Sequence, residues 1–333
     1  MNNEIWRASR RALLVRAGVS VASLATSSFA RSQNVATGKV IRIVVTTAPG
    51  GLTDLVARQY GEFIGRKLGQ TVVVDNRPGG GGTIGSAVVA KAAPDGQTLL
   101  MTSSSGVWQS RVLFNQLSYD PEKELTPISL FYSGPVPLGV HSALPVRTAP
   151  ELLAYARQNK VNLGTYSAGS LPHMVADHWK RTESVDIQAV HYRGETPMWV
   201  DVAGGQTHAG VGSLQALAPH MQRGTIRPIG LFGSIRNPLL PDVPTLQEQG
   251  MKGAILNLNL WLSLCAPAGT PDDVLQRLSN AVREAHDSPS VREMNRNFGI
   301  PVGPTDLSEA RRRWADEAPQ WQIAAEQLGL KLN

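Results

Sequence analysis

From Val40 onward, short β-branched runs alternate with segments whose apolar residues recur at helical spacing, and this restricts the chain to an α/β fold. Val40 to Thr47 reads as a strand. Leu52 to Leu68 follows as a helix, with Leu55, Val56, Phe63, Ile64 and Leu68 on its apolar face, and Thr71 to Val74 is again a strand. Gly79 to Gly82 form a loop, Ile84 to Ala93 a helix of small residues, Pro94-Asp95-Gly96 a turn, and Gln97 to Ser103 a further strand. Links this short predict a mostly parallel sheet with helices on both faces, where ligands bind beyond the carboxyl ends of the strands.

The same pattern resumes after the proline-rich stretch Pro135 to Pro145. A helix is predicted over Ala149 to Gln158, a strand over Asn162 to Tyr166 and a helix over Leu171 to Arg181. Strands follow at Asp186 to Val190, Ala209 to Val211 and Ile226 to Leu231. An apolar strand at Leu258 to Cys265 and helices at Asp272 to His286 and Leu307 to Leu328 complete the chain. One domain is thus interrupted by another: residues 31–137 and 229–333 form the first, 138–228 the second. Crossovers are expected near Val136 to Val140 and Ile226 to Gly230.

The N-terminal thirty residues read as a cleavable export signal. Arg7, Arg10, Arg11 and Arg16 stand against one Glu4, a mildly apolar stretch runs from Ala17 to Ala25, and Ser28-Phe29-Ala30 supplies a small-x-small cleavage site. Ser9-Arg10-Arg11-Ala12-Leu13-Leu14 resembles a twin-arginine signal. The full chain carries 32 basic and 26 acidic side chains; without residues 1–30 it carries 28 and 25, a net charge of only +3. That excess is too small, and too scattered, for a nucleic-acid partner. Arg311-Arg312-Arg313 lie beside Glu309, Asp316 and Glu317 and read as a solvated helix face. Cys265 is the single cysteine, which excludes an intrachain disulfide and places it as a buried strand residue.

Among the loops, Thr46-Thr47-Ala48-Pro49-Gly50-Gly51-Leu52-Thr53-Asp54 is the most informative. Gly50 and Gly51 let the backbone approach a ligand, Thr53 is placed to cap the helix, and the free first-turn N–H groups suit an anion such as a carboxylate. Asp54 opposes a second anion; it stabilises the helix terminus, holds a water or meets a cationic group. Gly80-Gly81-Gly82-Thr83-Ile84-Gly85 spells GxGxxG, but no acidic residue ends a strand some twenty positions later, so a dinucleotide site is not expected. Gly164-Thr165-Tyr166-Ser167-Ala168-Gly169 misses the GxSxG elbow by one position. His173, Asp177 and His178 share a helix without a third metal ligand, so neither metal nor cofactor is expected; His173 is read as pointing from the helix start into a cleft.

Several motifs together are more specific. Ala48-Pro49-Gly50-Gly51 with Thr53-Asp54, Val73-Val74-Asp75-Asn76-Arg77-Pro78-Gly79-Gly80-Gly81-Gly82, and Ala92-Ala93-Pro94-Asp95-Gly96-Gln97-Thr98-Leu99-Leu100 resemble the Bug-type solute-binding receptors of tripartite tricarboxylate transporters. Tyr119-Asp120-Pro121, Tyr192-Arg193-Gly194, Pro241-Asp242-Val243-Pro244-Thr245 and Ala266-Pro267-Ala268-Gly269-Thr270-Pro271 continue the likeness to the end.

The resemblance implies a type II, two-domain periplasmic binding protein that closes like a clamshell over a small carboxylate. The implied first pincer is Thr47, Ala48, Gly50, Gly51, Leu52, Thr53 and Asp54. The implied second is Ser167, Ala168, Gly169, Ser170 and His173, supported by the segment Tyr192-Arg193-Gly194-Glu195-Thr196, with Ser103 and Ser104 on the floor. Thr46-Thr47 stands where the family often has Pro-Phe, Leu52 where it has a third glycine, and Gly212-Ser213 near where it has an Asp-Asn pair, so ligand identity does not transfer. The implied partners are membrane permease subunits or a sensor protein, with the chain itself a monomer. The competing reading is a secreted hydrolase or isomerase using Ser167 or His173; a ligand-presenting sensory subunit is a third.

Overall fold

The computed structural model describes residues 40–332 apart from Asn259, Pro301 and Leu328. The expected export signal, residues 1–30, lies outside the described residues. The first lobe opens with β1 (Val40–Val45), α1 (Leu52–Leu68), β2 (Thr71–Asn76), α2 (Thr83–Ala90) and β3 (Thr98–Ser103). Two single-turn helices, α3 (Ser110–Leu113) and α4 (Pro121–Glu124), lead into β4 (Leu125–Tyr132). The second lobe is built from β5 (Val136–His141), α5 (Ala149–Ala156), β6 (Val161–Thr165), α6 (Leu171–Thr182), β7 (Ile187–His191), α7 (Glu195–Ala203), β8 (Ala209–Val211), α8 (Leu214–Gln222) and β9 (Ile226–Phe232). The chain then returns to the first sheet through β10 (Trp261–Pro267) and ends with α9 (Asp272–His286), α10 (Pro289–Phe298) and α11 (Leu307–Glu326).

Each lobe has a five-stranded sheet, in the orders β2-β1-β3-β10-β4 and β7-β6-β8-β5-β9. Strands β1, β2 and β3 run parallel, and β10 lies antiparallel between β3 and β4. The second sheet repeats this: β6, β7 and β8 are parallel, and β5 is antiparallel to β8 and β9. Both sheets are therefore mixed rather than nearly all parallel. The crossovers also differ from expectation, because Val136–Val140 and Ile226–Gly230 are paired strands of the second sheet. The first crossing falls at residues 133–135, the second between β9 and β10.

Burial explains the architecture. Val56, Ala57, Tyr60 and Ile64 of α1 and Leu275, Leu278 and Val282 of α9 cover Ile41, Ile43, Val45, Leu99 and Leu264 on one face of the first sheet. Removing each such aliphatic side chain from water contributes roughly 1.5–3 kcal/mol. On the other face Trp108, Trp314 and Trp321 cluster, with Trp108 and Trp314 edge to face at 5.5 Å. Cys265 is buried in β10, as its sequence context predicts.

Several elements were not expected. Strand β5 contains Pro137 and Gly139, which read as breakers, yet Gly139 pairs with Gly210 and the two leave room for the buried indole of Trp199. A Cβ at either glycine would lie 3.0–3.1 Å from that ring. Strand β4 is buried at nearly every position and so shows no alternation. Helices α7, α8 and α10 were also missed, and β10 begins three residues later than expected.

Candidate functional site

The loop from β1 to α1 is fixed by a carboxylate. Asp54, 2% exposed, accepts hydrogen bonds from Gly50 N (3.0 Å), Asn76 Nδ2 (2.9 Å) and Arg58 Nε (3.1 Å). Asn76 donates also to the Thr47 carbonyl at 3.0 Å. Burial pushes the Asp54 carboxyl up, but the bonds from Arg58, Gly50 and Asn76 outweigh it and hold it below its usual value. Asp54 thus organises the loop. Thr53 is not the cap: Gly51 is the N-cap residue, without a side-chain cap bond, and Thr53 lies inside the first turn. The N–H groups of that turn have no intrahelical acceptor.

The loop from β6 to α6 spends its donors on itself. Ser170 N and Oγ both donate to the Ser167 carbonyl, at 3.3 and 2.6 Å. Gly169 N donates to His173 Nδ1 at 3.0 Å, and His173 Nε2 lies 3.6 Å from Asp177. The His173 ring packs against His191 at 4.3 Å. Burial, and then the charge of His191, lower His173 to about 4. His173 therefore anchors this loop from behind and does not point into the cleft.

The segment after β7 docks beside it, with Tyr192 N donating to the Thr165 carbonyl and Gly194 N to the Tyr166 carbonyl, both at 2.9 Å. The Tyr192 hydroxyl is engaged by Asp201 and Thr207 at 2.8 Å. Glu195, the first residue of α7, accepts from Ser213 N at 3.0 Å and from Ser213 Oγ. Burial raises its carboxyl above the usual value, against the opposing effect of Ser213.

Two adjoining cavities lie between the lobes. The inner one is lined by Thr47, Gly51, Leu52 and Thr53 of the first loop, by Ser103, and by Tyr166, Glu195 and Ser213 of the second lobe. Ser133, Val136 and Leu260–Leu262 close it at the crossings. The outer one is bounded by Gly79–Gly82, Ser105, Ser167, Ala168 and His191–Gly194. Thr47, Ser103 and Tyr166 line both. Thr47 Oγ1 is buried without a hydrogen-bond partner among the described residues.

Of the expected residues, Thr47, Gly51, Leu52, Thr53, Ser103, Ser167, Ala168, Tyr192, Gly194 and Glu195 line one or both cavities. Ala48, Gly50, Thr196, Asp54, Ser104, Gly169, Ser170 and His173 line neither. Ala48 and Gly50 instead meet Gly194 and Thr196 across the cleft: a Cβ on Gly194 would lie 3.4 Å from Ala48, and one on Gly50 3.5 Å from Thr196 Oγ1. Ser104 is buried, its carbonyl accepting from Val107 and Trp108. Arg193 and Ser213, from the supporting segment and the Gly212-Ser213 departure, line the cavities too; sequence reasoning missed Tyr166 and the Gly79–Gly82 loop. For the last, the run of four glycines was a signal, discarded with the dinucleotide reading.

Among the described residues no group of three or more potential metal ligands occurs, and no helix is long and apolar enough to cross a membrane. Residues 56–330 match the tripartite tricarboxylate transporter family receptor profile. The protein BugT of Bordetella pertussis is 30% identical over 296 residues, covering 88% of this chain and 90% of its own. Among solved structures, R. palustris Rpa4515 with adipate superposes with a TM-score of 0.82 at 30% identity, covering 90% of this chain and all of that one. MatC from Rhodopseudomonas palustris with bound malate gives 0.75 at 27% identity, covering 86% and 98%. The two-lobed fold is that of these periplasmic binding proteins, and the chain belongs to the tripartite tricarboxylate transporter receptor family.

Proposed function

We propose that the protein is an extracytoplasmic receptor that captures a small carboxylate between its lobes and delivers it to the permease subunits of a tripartite tricarboxylate-type transporter. The observation that carries this reading is the meeting of the two cavities at Thr47, Ser103 and Tyr166, beside the first turn of α1. There the unpartnered Thr47 hydroxyl and free backbone N–H groups offer an anion site made largely of neutral donors. The solved relatives with adipate and malate support a carboxylate as the ligand class. Residues 1–30 act in this reading as the cleavable signal, with Arg10-Arg11 in a twin-arginine motif, and the two lobes hinge where the chain crosses between the sheets.

A hydrolase using Ser167 and His173 is disfavoured by the state of that imidazole. Nδ1 accepts from Gly169 and Nε2 faces Asp177, leaving neither nitrogen for Ser167. Native mass spectrometry of the purified chain, followed by calorimetric titration with a panel of mono-, di- and tricarboxylates, tests the proposal. The expected result is one carboxylate per chain. A folded protein that neither carries nor binds any carboxylate would overturn it.

A further inference from the structure

The cleft is electrically polar. Among the residues lining the outer cavity Arg193 is the one permanently charged side chain; among those lining the inner cavity Glu195 is the one acidic side chain, and none is basic. Glu195 has no cationic partner within salt-bridge distance among the described residues. Both its oxygens accept hydrogen bonds, from Ser213 N and Ser213 Oγ. It also stands at the N-terminus of α7, where the helix favours negative charge. The Ser213 bonds and the helix N-terminus favour the carboxylate, while burial works against them and raises the carboxyl above its usual value. The walls around it are apolar: Leu52, Val136, Leu260 and Leu262, the last two at most 9% exposed.

We propose that Glu195 is a specificity-determining residue that selects monocarboxylates with an apolar body and rejects dicarboxylates. The inference rests on the carboxylate-receptor reading and deepens it. A ligand spanning the cavities places its carboxylate at the shared wall of Thr47, Ser103 and Tyr166, toward Arg193. Its body then enters the inner cavity, against Leu52 and Val136. A second carboxylate at that inner end meets the Glu195 carboxyl in a site of low dielectric, where two adjacent carboxyl groups resist ionising together and no lining cation offsets them. A neutral end meets only apolar wall and hydroxyls. Specificity here comes as much from repulsion of the wrong ligand as from attraction of the right one.

The test uses acids matched in length, so that only the second carboxylate differs: hexanoate against adipate, and 4-methylbenzoate against terephthalate, titrated calorimetrically into the full mature chain. In each pair the monoacid is expected to bind at least tenfold more tightly. Glu195→Gln keeps the shape and removes the charge, and is expected to shrink that ratio at least tenfold. Diacids binding as tightly as monoacids to the wild type, or a ratio untouched by Glu195→Gln in a folded variant, overturn the proposal while leaving the receptor reading intact. Binding of neither acid in both pairs overturns this assignment, and failure of the wider panel as well overturns the receptor reading itself. Should Glu195→Gln not fold, as judged by circular dichroism, the wild-type ratios decide alone. Leu52→Gly supplies a second arm, with monoacid affinity expected to fall at least threefold.

Discussion

Ser133 and Leu260, 127 positions apart in the chain, are joined twice: Ser133 N and Ser133 Oγ both donate to the Leu260 carbonyl, at 3.0 and 2.8 Å. One residue lies on the first crossing between the lobes and the other just before β10, so the two connections are tied together where they leave the sheets. Both residues also line the inner cavity. The joint that relates the lobes is therefore part of the cavity wall.

Gly51 separates binding from folding. Its φ of −85° is ordinary, and a Cβ there meets nothing within 4 Å, so the fold tolerates a side chain. The residue nevertheless lines the inner cavity beside the free first turn of α1. Gly51→Val is expected to leave the thermal midpoint within a few degrees and to weaken carboxylate binding at least tenfold in calorimetry. Its neighbour Gly50 behaves in the opposite sense: at φ +88° a side chain is strained, and Gly50→Ala is expected to cost about 1 kcal/mol of stability in chemical denaturation.

Asp54 is a stability residue with a predictable pH dependence. Its native carboxyl lies below its unfolded value, so its contribution is fully present above the unfolded value and disappears as pH falls through the native one. Asp54→Ala is expected to cost about 1–3 kcal/mol at neutral pH, from the loss of charge-assisted bonds to Gly50, Arg58 and Asn76. The difference from wild type should shrink once pH drops below 3.8. Denaturation midpoints of both proteins across the acid range check this, and a difference that is flat with pH counts against it.

How much of this was legible in the sequence depended on whether local pattern or distant packing decided the outcome. Helix α1 was read with its true ends because its apolar spacing, Gly51 before it and Gly69 after it all agree locally. Strand β5 was not, since Gly139 answers to Trp199, sixty residues away in the chain. The same divide runs through the site. Thr47, Gly51 and Ser167 follow from strand-to-helix junctions, whereas the burial of His173 behind its loop depends on His191 and Asp177. That Ser213 supports Glu195 is a contact across 18 positions that no local motif announces.

His173 gives a second acid-range prediction. Its native value of about 4 lies below the ordinary histidine value of 6.5, so the unfolded chain binds a proton first as pH falls. Stability from this group is complete above the unfolded value and declines between about 6.5 and 4, by an amount on the order of 3 kcal/mol. Protonation also removes the Nδ1 acceptor that holds Gly169. His173→Gln is expected to flatten the stability profile between pH 7 and 4.5 relative to wild type, while Asp177 and His191 remain to titrate in both. Parallel profiles would show that His173 is not the group responsible.

Lobe closure gives the last prediction, because the structure shows the two lobes in near contact through glycine. Gly81, at φ +63°, belongs to the first lobe, and a Cβ placed on it would lie 2.6 Å from the carbonyl oxygen of Ala168 in the second. That distance is to backbone, which cannot swing aside, so a methyl group there forces the lobes apart. The positive φ adds about 1 kcal/mol of local strain, which a thermal melt of the free protein registers separately. Ligand contacts that span the cleft favour the closed form only by their differential affinity for it, so a variant held open loses that part of its binding energy. Small-angle scattering on the wild type is expected to show a smaller radius of gyration when saturated with carboxylate than when free. In Gly81→Ala the contraction should be reduced and the affinity lowered at least fivefold. A wild-type radius that does not change on demonstrated saturation would indicate a rigid cleft, and full contraction in Gly81→Ala would show that this contact does not limit closure.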